Sequence, residues 1–385
     1  MVAPHACFET RGSPLNVQLM CETLTANGYE VHLVTYPFGN EVTMRGLVYH
    51  RVARPPGLRQ IGIGFSYGKV ALDTLLVLET VRQLRKRRFA AVHAVEEAAF
   101  FAVPLARMFR TPAITDVDSD IAAQLAEHSS PVARALRPLV KPILRNTLRR
   151  SKCALTVCTG LTDVCRALDA DTRVFQIEDV PLCNGNGVPA AAETDALRLR
   201  LGLGGRRIVL YTGNAEPYQG VEMMIDALPE VTRVAPDVAI LMVGGEPEQC
   251  ARLHQRAAQL KVADSLFLAG KQPAAQMPAY MALADALISP RRNGVNTPLK
   301  IYSYMHSGCP IVATDVSAHT QVLDDGSAFL TEACALGLAT GVLRALSEPE
   351  EAARKAARAK RKVEREYSID QFRRKLMEVY AYATT

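Results

Sequence analysis

Short apolar runs alternate with longer amphipathic segments along the whole chain. Runs such as residues 30–35 and 238–243 are rich in aliphatic and β-branched residues, which is typical of strands buried on both faces. The segments between such runs, for example residues 14–27 and 248–260, carry apolar residues at helical spacing. Strands that alternate with helices favour parallel sheets with right-handed crossovers, so the pattern predicts an α/β fold.

The same alternation appears on both sides of residues 182–205, a segment that carries Pro, Gly, Asn and an Ala-rich tract. A chain of 385 residues suits two domains of roughly 150 to 200 residues, each large enough for its own core. We therefore expect an N-terminal domain over residues 1–185, a C-terminal domain over residues 186–366, and a linker within the unusual segment. Residues 367–385 predict a final amphipathic helix.

Composition argues against several classes of function. Apolar residues make up 49% of the chain, yet no apolar run approaches the ~20 residues of a membrane-spanning helix. The first residues lack the basic start and long apolar segment of a signal peptide, so a cytoplasmic protein is expected. Nine cysteines without CxxC pairs favour free thiols over a zinc site. The net charge of +6 comes without a nucleic-acid-binding motif, so nucleic acid is not an expected partner.

Residues 289–314 carry the pattern with the clearest chemistry. Arg291 lies just past a predicted buried strand, and Thr297 followed by Pro298 predicts the N-cap and first position of a helix. The unpaired amides of that first turn would lie close to Arg291 and Lys300, at the positive end of the helix dipole. The pattern predicts an anion site that suits a diphosphate. The alternative is an ordinary capped helix whose arginines are solvated.

The other candidate residues of this half follow predicted strands, because ligands of doubly wound sheets bind beyond the carboxyl ends of the strands. Glycines there let the backbone approach a nucleotide closely, although they would also end strands in any fold. With the helix start described above, the candidate binding residues are Gly213, Asn214, Gln219, Gly220, Gly244, Gly245, Gly270, Asn296, Thr297, Pro298 and Leu299.

In the N-terminal half the same argument selects residues that follow the predicted strands. Three alternating carboxylates form an acidic turn there, but the glycine and terminal glutamate of a calcium loop are missing, so no metal is expected. The candidate residues on this side are Gly12, Ser13, His93, Glu96, Asp116 and Asp118.

Two residues of this group have two interpretations. Asp118 could belong to the site, or it could belong to a helix N-cap that Ser119 or Asp120 would supply equally well. His93 could belong to the site or could be a structural residue at the end of a strand, predicted over residues 89–93.

Three blocks of sequence resemble one enzyme family. Residues 297–314 read TPLKIYSYMHSGCPIVAT, residues 211–228 read YTGNAEPYQGVEMMIDAL, and residues 11–35 read RGSPLNVQLMCETLTANGYEVHLVT. They resemble the donor-site helix, the strand–loop–helix unit and the opening glycine loop of retaining, nucleotide-sugar-dependent glycosyltransferases of family four, group one. The blocks occur in both halves of the chain and in the family's order.

The resemblance implies the GT-B architecture, in which two Rossmann-like domains face a cleft and the last helix crosses back to the N-terminal domain. It implies retaining transfer of a sugar from a nucleoside diphosphate sugar on the C-terminal domain to an acceptor hydroxyl on the N-terminal domain, without a metal cofactor. The acceptor would be a glycan or lipid-linked molecule of cell-surface or envelope glycan synthesis. Asp118 stands where the family has a histidine near the donor sugar, so its carboxylate could act on the acceptor hydroxyl or stabilise positive charge at the anomeric carbon. Arg291 and Lys300 would serve the diphosphate.

The chain also departs from the family. Val295 and Ser303 occupy the positions of the family's paired glutamates, and Asn214 and Gln219 occupy those of its Arg and Lys. A catalytically weak or silent sugar-nucleotide-binding relative is therefore an open alternative. A nicotinamide-dependent dehydrogenase is a second alternative, but its fingerprint is missing, because the glycines of residues 62–68 lack the preceding strand and the following acidic residue.

A basic stretch in the N-terminal half, residues 132–152, has no acidic residue at all. Helical spacing places an apolar set on one face and a basic set on the other, and Pro138 and Pro142 are expected to kink the helix. The basic face is either solvated or meets anionic lipid at the inner face of the cell membrane, as a lipid-linked acceptor would require. The apolar set is Leu136, Leu139, Val140, Ile143, Leu144 and Leu148, and the basic set is Arg134, Arg137, Lys141, Arg145, Arg149 and Lys152.

Overall fold

The structure is a computed structural model that describes residues 1–9, 12–58, 67–127, 130–182 and 190–385. It divides into two compact units, Met1–Glu178 with Asp370–Thr385, and Asp179–Ile369. The chain leaves the first unit before the expected boundary at residue 185, since Leu182 already bonds within the second unit, its N donating to Ser303 Oγ at 3.1 Å. Residues 62–66 of the glycine-containing stretch and residues 183–189 of the expected linker lie outside the described residues.

The N-terminal unit is built on a parallel sheet with the order β3-β2-β1-β4-β5-β6-β7. Its strands are β1 Val2–Ala3, β2 Val31–Thr35, β3 Leu47–Arg51, β4 Val92–Val95, β5 Ala113–Val117, β6 Cys153–Thr156 and β7 Val174–Gln176. Its helices are α1 Gly12–Ala26, α2 Tyr67–Lys86, α3 Ala99–Met108, α4 Ile121–Glu127, α5 Pro131–Arg150 and α6 Thr159–Leu168.

The C-terminal unit contains a second parallel sheet with the order β10-β9-β8-β11-β12-β13. Its strands are β8 Arg207–Thr212, β9 Val238–Val243, β10 Leu266–Gly270, β11 Ala286–Ser289, β12 Ile311–Thr314 and β13 Phe329–Thr331. Its helices are α7 Ala191–Arg200, α8 Val221–Val234, α9 Pro247–Gln259, α10 Met277–Ala282, α11 Leu299–Ser307, α12 Ser317–Thr320, α13 Ala335–Ser347 and α14 Pro349–Glu366.

Both sheets follow the same doubly wound order, and the predicted fold class of two Rossmann-like domains with parallel sheets is confirmed. The strands are apolar because helices cover both faces, as in β9, where every residue is buried. In each sheet the order in which strands are added reverses at one point, between β1 and β4 in the first and between β8 and β11 in the second. Ligands of such sheets bind beyond the strand ends at these switch points.

Helix α15, Ile369–Thr384, lies with the N-terminal unit although it follows the C-terminal unit in the sequence. It buries Phe372, Leu376 and Val379. Its Tyr380 hydroxyl lies 2.8 Å from Nδ1 of His93 on β4. The N-terminal unit is therefore completed by the last residues of the chain.

Two local predictions were wrong. The strand predicted over residues 89–93 begins at Val92, because Phe89 packs against the core from the preceding loop, and this shift places His93 inside the strand opposite Ile114. The expected linker contains a helix, α7, whose Leu197 is buried in the core of the C-terminal unit.

Candidate functional site

Three glycines form a bare backbone edge where neighbouring strands of the C-terminal unit end. Gly213 N donates to Val243 O at 2.9 Å, and Gly244 N donates to Gly270 O at 2.7 Å. Gly213 and Gly244 have φ values of +133° and +121°, which side-chain-bearing residues rarely adopt. A Cβ on Gly244 would lie 2.1 Å from Gly213 O, and one on Gly213 would lie 2.9 Å from Lys300 Nζ. Only glycine leaves this edge open to a ligand.

Lys300 brings a cation to this edge from the first turn of α11. Its Nζ lies 3.8 Å from the ring centroid of Tyr211 and 3.5 Å from Oε1 of Gln219. Among the described residues, no carboxylate forms an ion pair with it. Burial of the ammonium, reinforced by the positive charge of Arg291, holds the pKa of Lys300 well below its ordinary value. The arrangement is a partly desolvated cation that an anionic ligand would stabilise.

Arg291 follows β11 and turns into the same region. Its Nη1 donates to Asn296 O at 2.6 Å, and its guanidinium lies 5.2 Å from the ring centroid of Tyr218. The neighbouring Arg292 is exposed, and its main-chain N donates to Tyr218 O at 3.2 Å. The two consecutive arginines therefore point in different directions, and only Arg291 is held next to the helix start.

Helix α11 begins one residue later than predicted. Pro298, with φ −66° and ψ 130°, is the N-cap rather than the first helical residue, because its extended ψ lies outside the helix. Thr297 does not cap the helix. It is buried, and within the described part of the chain its hydroxyl has no hydrogen-bond partner. Leu299 and Lys300 thus supply the first-turn amides.

The remaining predicted residues of this unit shape the turns. Asn214 Oδ1 accepts a hydrogen bond from Glu216 N at 3.2 Å, and Asn214 O accepts one from the Tyr211 hydroxyl at 2.7 Å. Gly245 has φ +83° and packs close to Met242 and Cys250. Gly220, the N-cap of α8, has φ +70°, and a Cβ there would lie 1.9 Å from Pro290 O.

Gly220→Ala should destabilise the protein by about 1–3 kcal/mol, because it combines a left-handed backbone with a clash against the chain next to Arg291. The midpoint of urea unfolding measures the loss. Gly205→Ala is the matched control, since a Cβ at Gly205 meets no atom within 4 Å. Equal midpoints for the two variants would show that the Gly220–Pro290 approach is not a constraint.

In the N-terminal unit, Glu96 lies at the switch point and contacts residues from two other segments of the chain. It follows β4 with φ +49°, and its Oε1 accepts hydrogen bonds from Ser13 Oγ at 3.3 Å and Ser119 Oγ at 3.2 Å. Burial, followed by the negative charges of Glu97 and Asp118, raises the pKa of Glu96 to about 8. The start of α1 and the ends of β4 and β5 therefore meet around one protonatable carboxyl. Gly12 opens α1 with no atom within 4 Å of the place a Cβ would take.

Asp118 does not cap a helix. The cap of α4 comes from Asp120, whose Oδ1 accepts a hydrogen bond from Ala123 N at 2.9 Å. Asp118 is only 5% exposed, and burial together with the charge of Asp116 raises its pKa well above the ordinary value, while a hydrogen bond from Ser13 opposes the rise. The structure thus groups Asp118 with Ser13 and Glu96.

His93 and Asp116 are structural partners within the N-terminal unit. His93 Nε2 lies 3.0 Å from Asp116 Oδ2, its Nδ1 lies 2.8 Å from the Tyr380 hydroxyl, and burial lowers the pKa of His93 to about 3. His93 lies inside β4 rather than at its end, and both ring nitrogens have partners, which favours the structural interpretation of this residue.

Sequence reasoning missed the residues that hold the cations. Tyr211 and Tyr218 present aromatic faces to Lys300 and Arg291, but along the chain they resemble ordinary strand and turn residues. His319 lies in the same network, and its only signal is a polar residue shortly after a buried strand. Across the described ranges, no group of three or more His, Cys, Asp or Glu residues is arranged to hold a metal ion.

Comparison with known proteins identifies both halves. The family model described as "Glycosyl transferase 4-like domain" matches residues 12–178. The model described as "Glycosyl transferases group 1" matches residues 206–358. Together the two matched regions include both switch points described above, with Glu96 and Asp118 in the first and Arg291 and Lys300 in the second.

Individual relatives are more distant. An alpha-D-kanosaminyltransferase of Streptomyces kanamyceticus is 26% identical over 261 residues, which is 66% of this chain and 66% of that protein. A GDP-mannose-dependent alpha-(1-6)-phosphatidylinositol monomannoside mannosyltransferase of Mycolicibacterium smegmatis is 32% identical over 167 residues, or 41% of this chain and 43% of that protein. The chain therefore matches at most about two thirds of the length of these curated relatives.

Similarity of fold extends over the whole chain. The sucrose-phosphate synthase of Thermosynechococcus elongatus superimposes with a TM-score of 0.79 and 16% sequence identity, covering 99% of this chain and 97% of that one. At this level of identity the comparison concerns the fold alone.

Proposed function

The chain belongs to the group 1 glycosyltransferases of GT-B fold, and on that premise we propose that it transfers a sugar from a nucleoside diphosphate sugar to an acceptor hydroxyl with retention. One observation carries the proposal: Lys300, without a carboxylate partner among the described residues, lies beside Arg291 at a bare glycine edge and a helix start. A cation held in this way suits the two negative charges of a diphosphate.

The chemistry requires these groups to stabilise the leaving nucleoside diphosphate as the bond to the sugar breaks. The planar guanidinium of Arg291 suits two phosphate oxygens, while the ammonium of Lys300 and the first-turn amides of α11 would neutralise the rest. In this proposal Arg291 and Lys300 take the place of the family's Arg and Lys, which are Asn214 and Gln219 here, and no resident metal is required. The pairing of Lys300 Nζ with Gln219 Oε1 supports it, because a neutral amide leaves the cation available.

The N-terminal unit would serve the acceptor. Asp118 and Glu96 are carboxyls with raised pKa values that share Ser13, and Glu96, with a pKa of about 8, can hold or release a proton near neutral pH. In the proposal, Asp118 interacts with the reacting hydroxyl or with positive charge at the anomeric carbon. Glu96 and Ser13 orient it.

The direct test has two arms. Thermal shift with UDP, GDP, ADP and CDP identifies the base, since a ligand at ~100 times its dissociation constant adds roughly 2.7 kcal/mol. Transfer and hydrolysis assays with the matching sugar nucleotides then measure turnover and the anomeric configuration of the product. GDP-mannose is the first donor to try, because a relative is named for it. Lack of binding by all four nucleotides would overturn the proposal.

A catalytically silent binding protein is the second candidate, and a specific observation favours it. Ser303, at the position of a family glutamate, is buried and its Oγ accepts a hydrogen bond from Leu182 N at 3.1 Å, so that hydroxyl is already engaged. Val295 replaces the other glutamate. Nucleotide binding without turnover for any donor would support the silent protein, and measurable transfer would exclude it.

Helix α5 suggests a lipid-linked acceptor of envelope or cell-surface glycan synthesis at an anionic membrane. No helix in the described part of the chain is long and apolar enough to cross a membrane. Leu139 and Ile143, expected on the packed face, are instead 53% and 41% exposed, because Val140, Thr147 and Leu148 supply the buried face. Both prolines lie within the helix.

The exposed leucine and isoleucine lie among exposed cations, which is the composition of a helix that rests on a lipid surface. A cavity of about 380 Å³ lies beside them and could receive a phosphate head group. It is lined by Lys141, Pro142, Arg145, Asn146, Arg149 and Leu168. Lys152 follows the helix and contacts the Tyr382 ring at 5.2 Å.

We therefore expect the protein to sediment with phosphatidylglycerol vesicles and not with phosphatidylcholine vesicles. The double variant Leu139→Ser/Ile143→Ser should bind vesicles about tenfold more weakly, since it removes the two apolar side chains that the lipid would bury. Leu199→Ser, at an 83% exposed residue of the other unit, is the matched control. Equal binding to both kinds of vesicle, or to neither, would refute the membrane contact.

A further inference from the structure

His319 lies in a buried chain of hydrogen bonds next to the loop that carries Arg291. Its Nε2 is 2.8 Å from Ser289 Oγ at the end of β11. Its Nδ1 is 2.8 Å from Thr314 O at the end of β12. All three residues have 0% exposure, so these contacts are shielded from bulk solvent.

The partners fix the protonation of the ring. A carbonyl only accepts hydrogen bonds, so Nδ1 must carry the proton that reaches Thr314 O, and Nε2 must accept the proton of the Ser289 hydroxyl. Burial, opposed by the bond to Thr314 O and reinforced by the charges of Arg291 and Lys300, lowers the pKa of His319 to about 4. The imidazole is therefore neutral at physiological pH and satisfies both partners with one tautomer.

This chain of hydrogen bonds reaches the loop between β11 and α11, which carries Arg291. The Thr314 hydroxyl donates to Arg291 O at 2.5 Å, which fixes the main chain of the arginine. Gln321, just past α12, donates from Nε2 to Val295 O at 2.6 Å in the same loop. Because Arg291 also donates from Nη1 to Asn296 O, hydrogen bonds hold both its backbone and its side chain in place.

We propose that Ser289, His319 and Thr314 form a positioning unit that sets the diphosphate affinity of Arg291 without touching the ligand. The inference rests on the proposed function of Arg291. It differs from a purely structural role, because loss of the Thr314 hydroxyl would release the arginine rather than only lower the stability of the fold.

The test compares Thr314→Val, which removes the hydroxyl at nearly constant volume, with Thr314→Ser, which keeps it. Titration calorimetry with GDP and with UDP should show about five- to tenfold weaker binding for Thr314→Val, the scale of one hydrogen bond, and near-normal binding for Thr314→Ser. His319→Asn, whose amide can still donate to Thr314 O, should lose less affinity than His319→Leu. Melting temperatures of all variants separate affinity from stability.

A double variant decides whether Thr314 acts through the arginine. If it does, adding Thr314→Val to Arg291→Ala should cause no further loss of affinity. Normal GDP and UDP affinity in Thr314→Val, with weakened binding in Arg291→Ala, would overturn the positioning unit alone. Absence of binding by the wild-type protein would overturn the proposed function and this inference with it.

Discussion

Lys300→Met is expected to weaken binding of GDP or UDP by about 1.5–3 kcal/mol, or roughly 10- to 150-fold, because it removes a charge-assisted hydrogen bond to the diphosphate and leaves the side-chain stem in place. Arg291→Ala should cost a similar amount. Binding of the corresponding nucleoside, which has no phosphate, should hardly change. Titration calorimetry with the diphosphate and the nucleoside measures both effects.

The depressed pKa of Lys300 adds a second readout. A bound anion favours the protonated amine, so binding takes up a proton wherever free Lys300 is neutral. Affinity should therefore fall as pH rises above the pKa of the free protein, and this slope should be absent in Lys300→Met. Arg292→Ala is the matched control, since Arg292 is exposed. Unaltered diphosphate affinity in both Lys300→Met and Arg291→Ala would place the donor elsewhere.

Asp118→Asn is expected to lower turnover by roughly a hundredfold or more, the scale of an acid–base group, with little change in donor affinity. The residue is buried and is not used as a helix cap, and it lies with Ser13 at the ends of the strands, where the proposal puts the acceptor. Steady-state kinetics with the donor found in the nucleotide screen separate kcat from KM.

The raised pKa of Asp118 sets the direction of the pH profile. If the ionised carboxylate is the active form, turnover is lost as pH falls through that raised value and recovers as pH rises, and Asp118→Asn should abolish this limb. Asp120→Asn is the control, because asparagine caps a helix as well as aspartate does. Near-normal turnover in Asp118→Asn would remove Asp118 from the chemistry.

The parts of the site that follow strands in the C-terminal unit were predictable, because a buried parallel strand ends where its apolar run meets a glycine or, after Ser289, a proline. Gly213, Gly244 and Arg291 lie past three such runs, and the shared edge of a parallel sheet brings strand ends together. The same logic found Glu96 in the N-terminal unit, although its strand was placed too early in the sequence.

Contacts between distant positions were not predictable. Nothing in the spacing of Ser289 and His319, or of His93 and Tyr380, indicates that their side chains meet. The exposure of Leu139 was missed for a related reason, since a helical wheel shows the width of an apolar face but not how much of it the sheet covers. The N-cap of α11 was predicted one residue too early, at Thr297 instead of Pro298, because a proline ring fixes φ but leaves ψ free.

The position of α15 also has a consequence for the order of events during synthesis. A ribosome synthesises residues 370–385 after the whole of the continuous unit Asp179–Ile369. The N-terminal unit, although it is encoded first, therefore cannot be completed until the C-terminal unit has been synthesised. Until Tyr380 arrives, His93 on the nascent N-terminal half lacks one of its two partners, and the apolar surface that α15 covers would be open to chaperones.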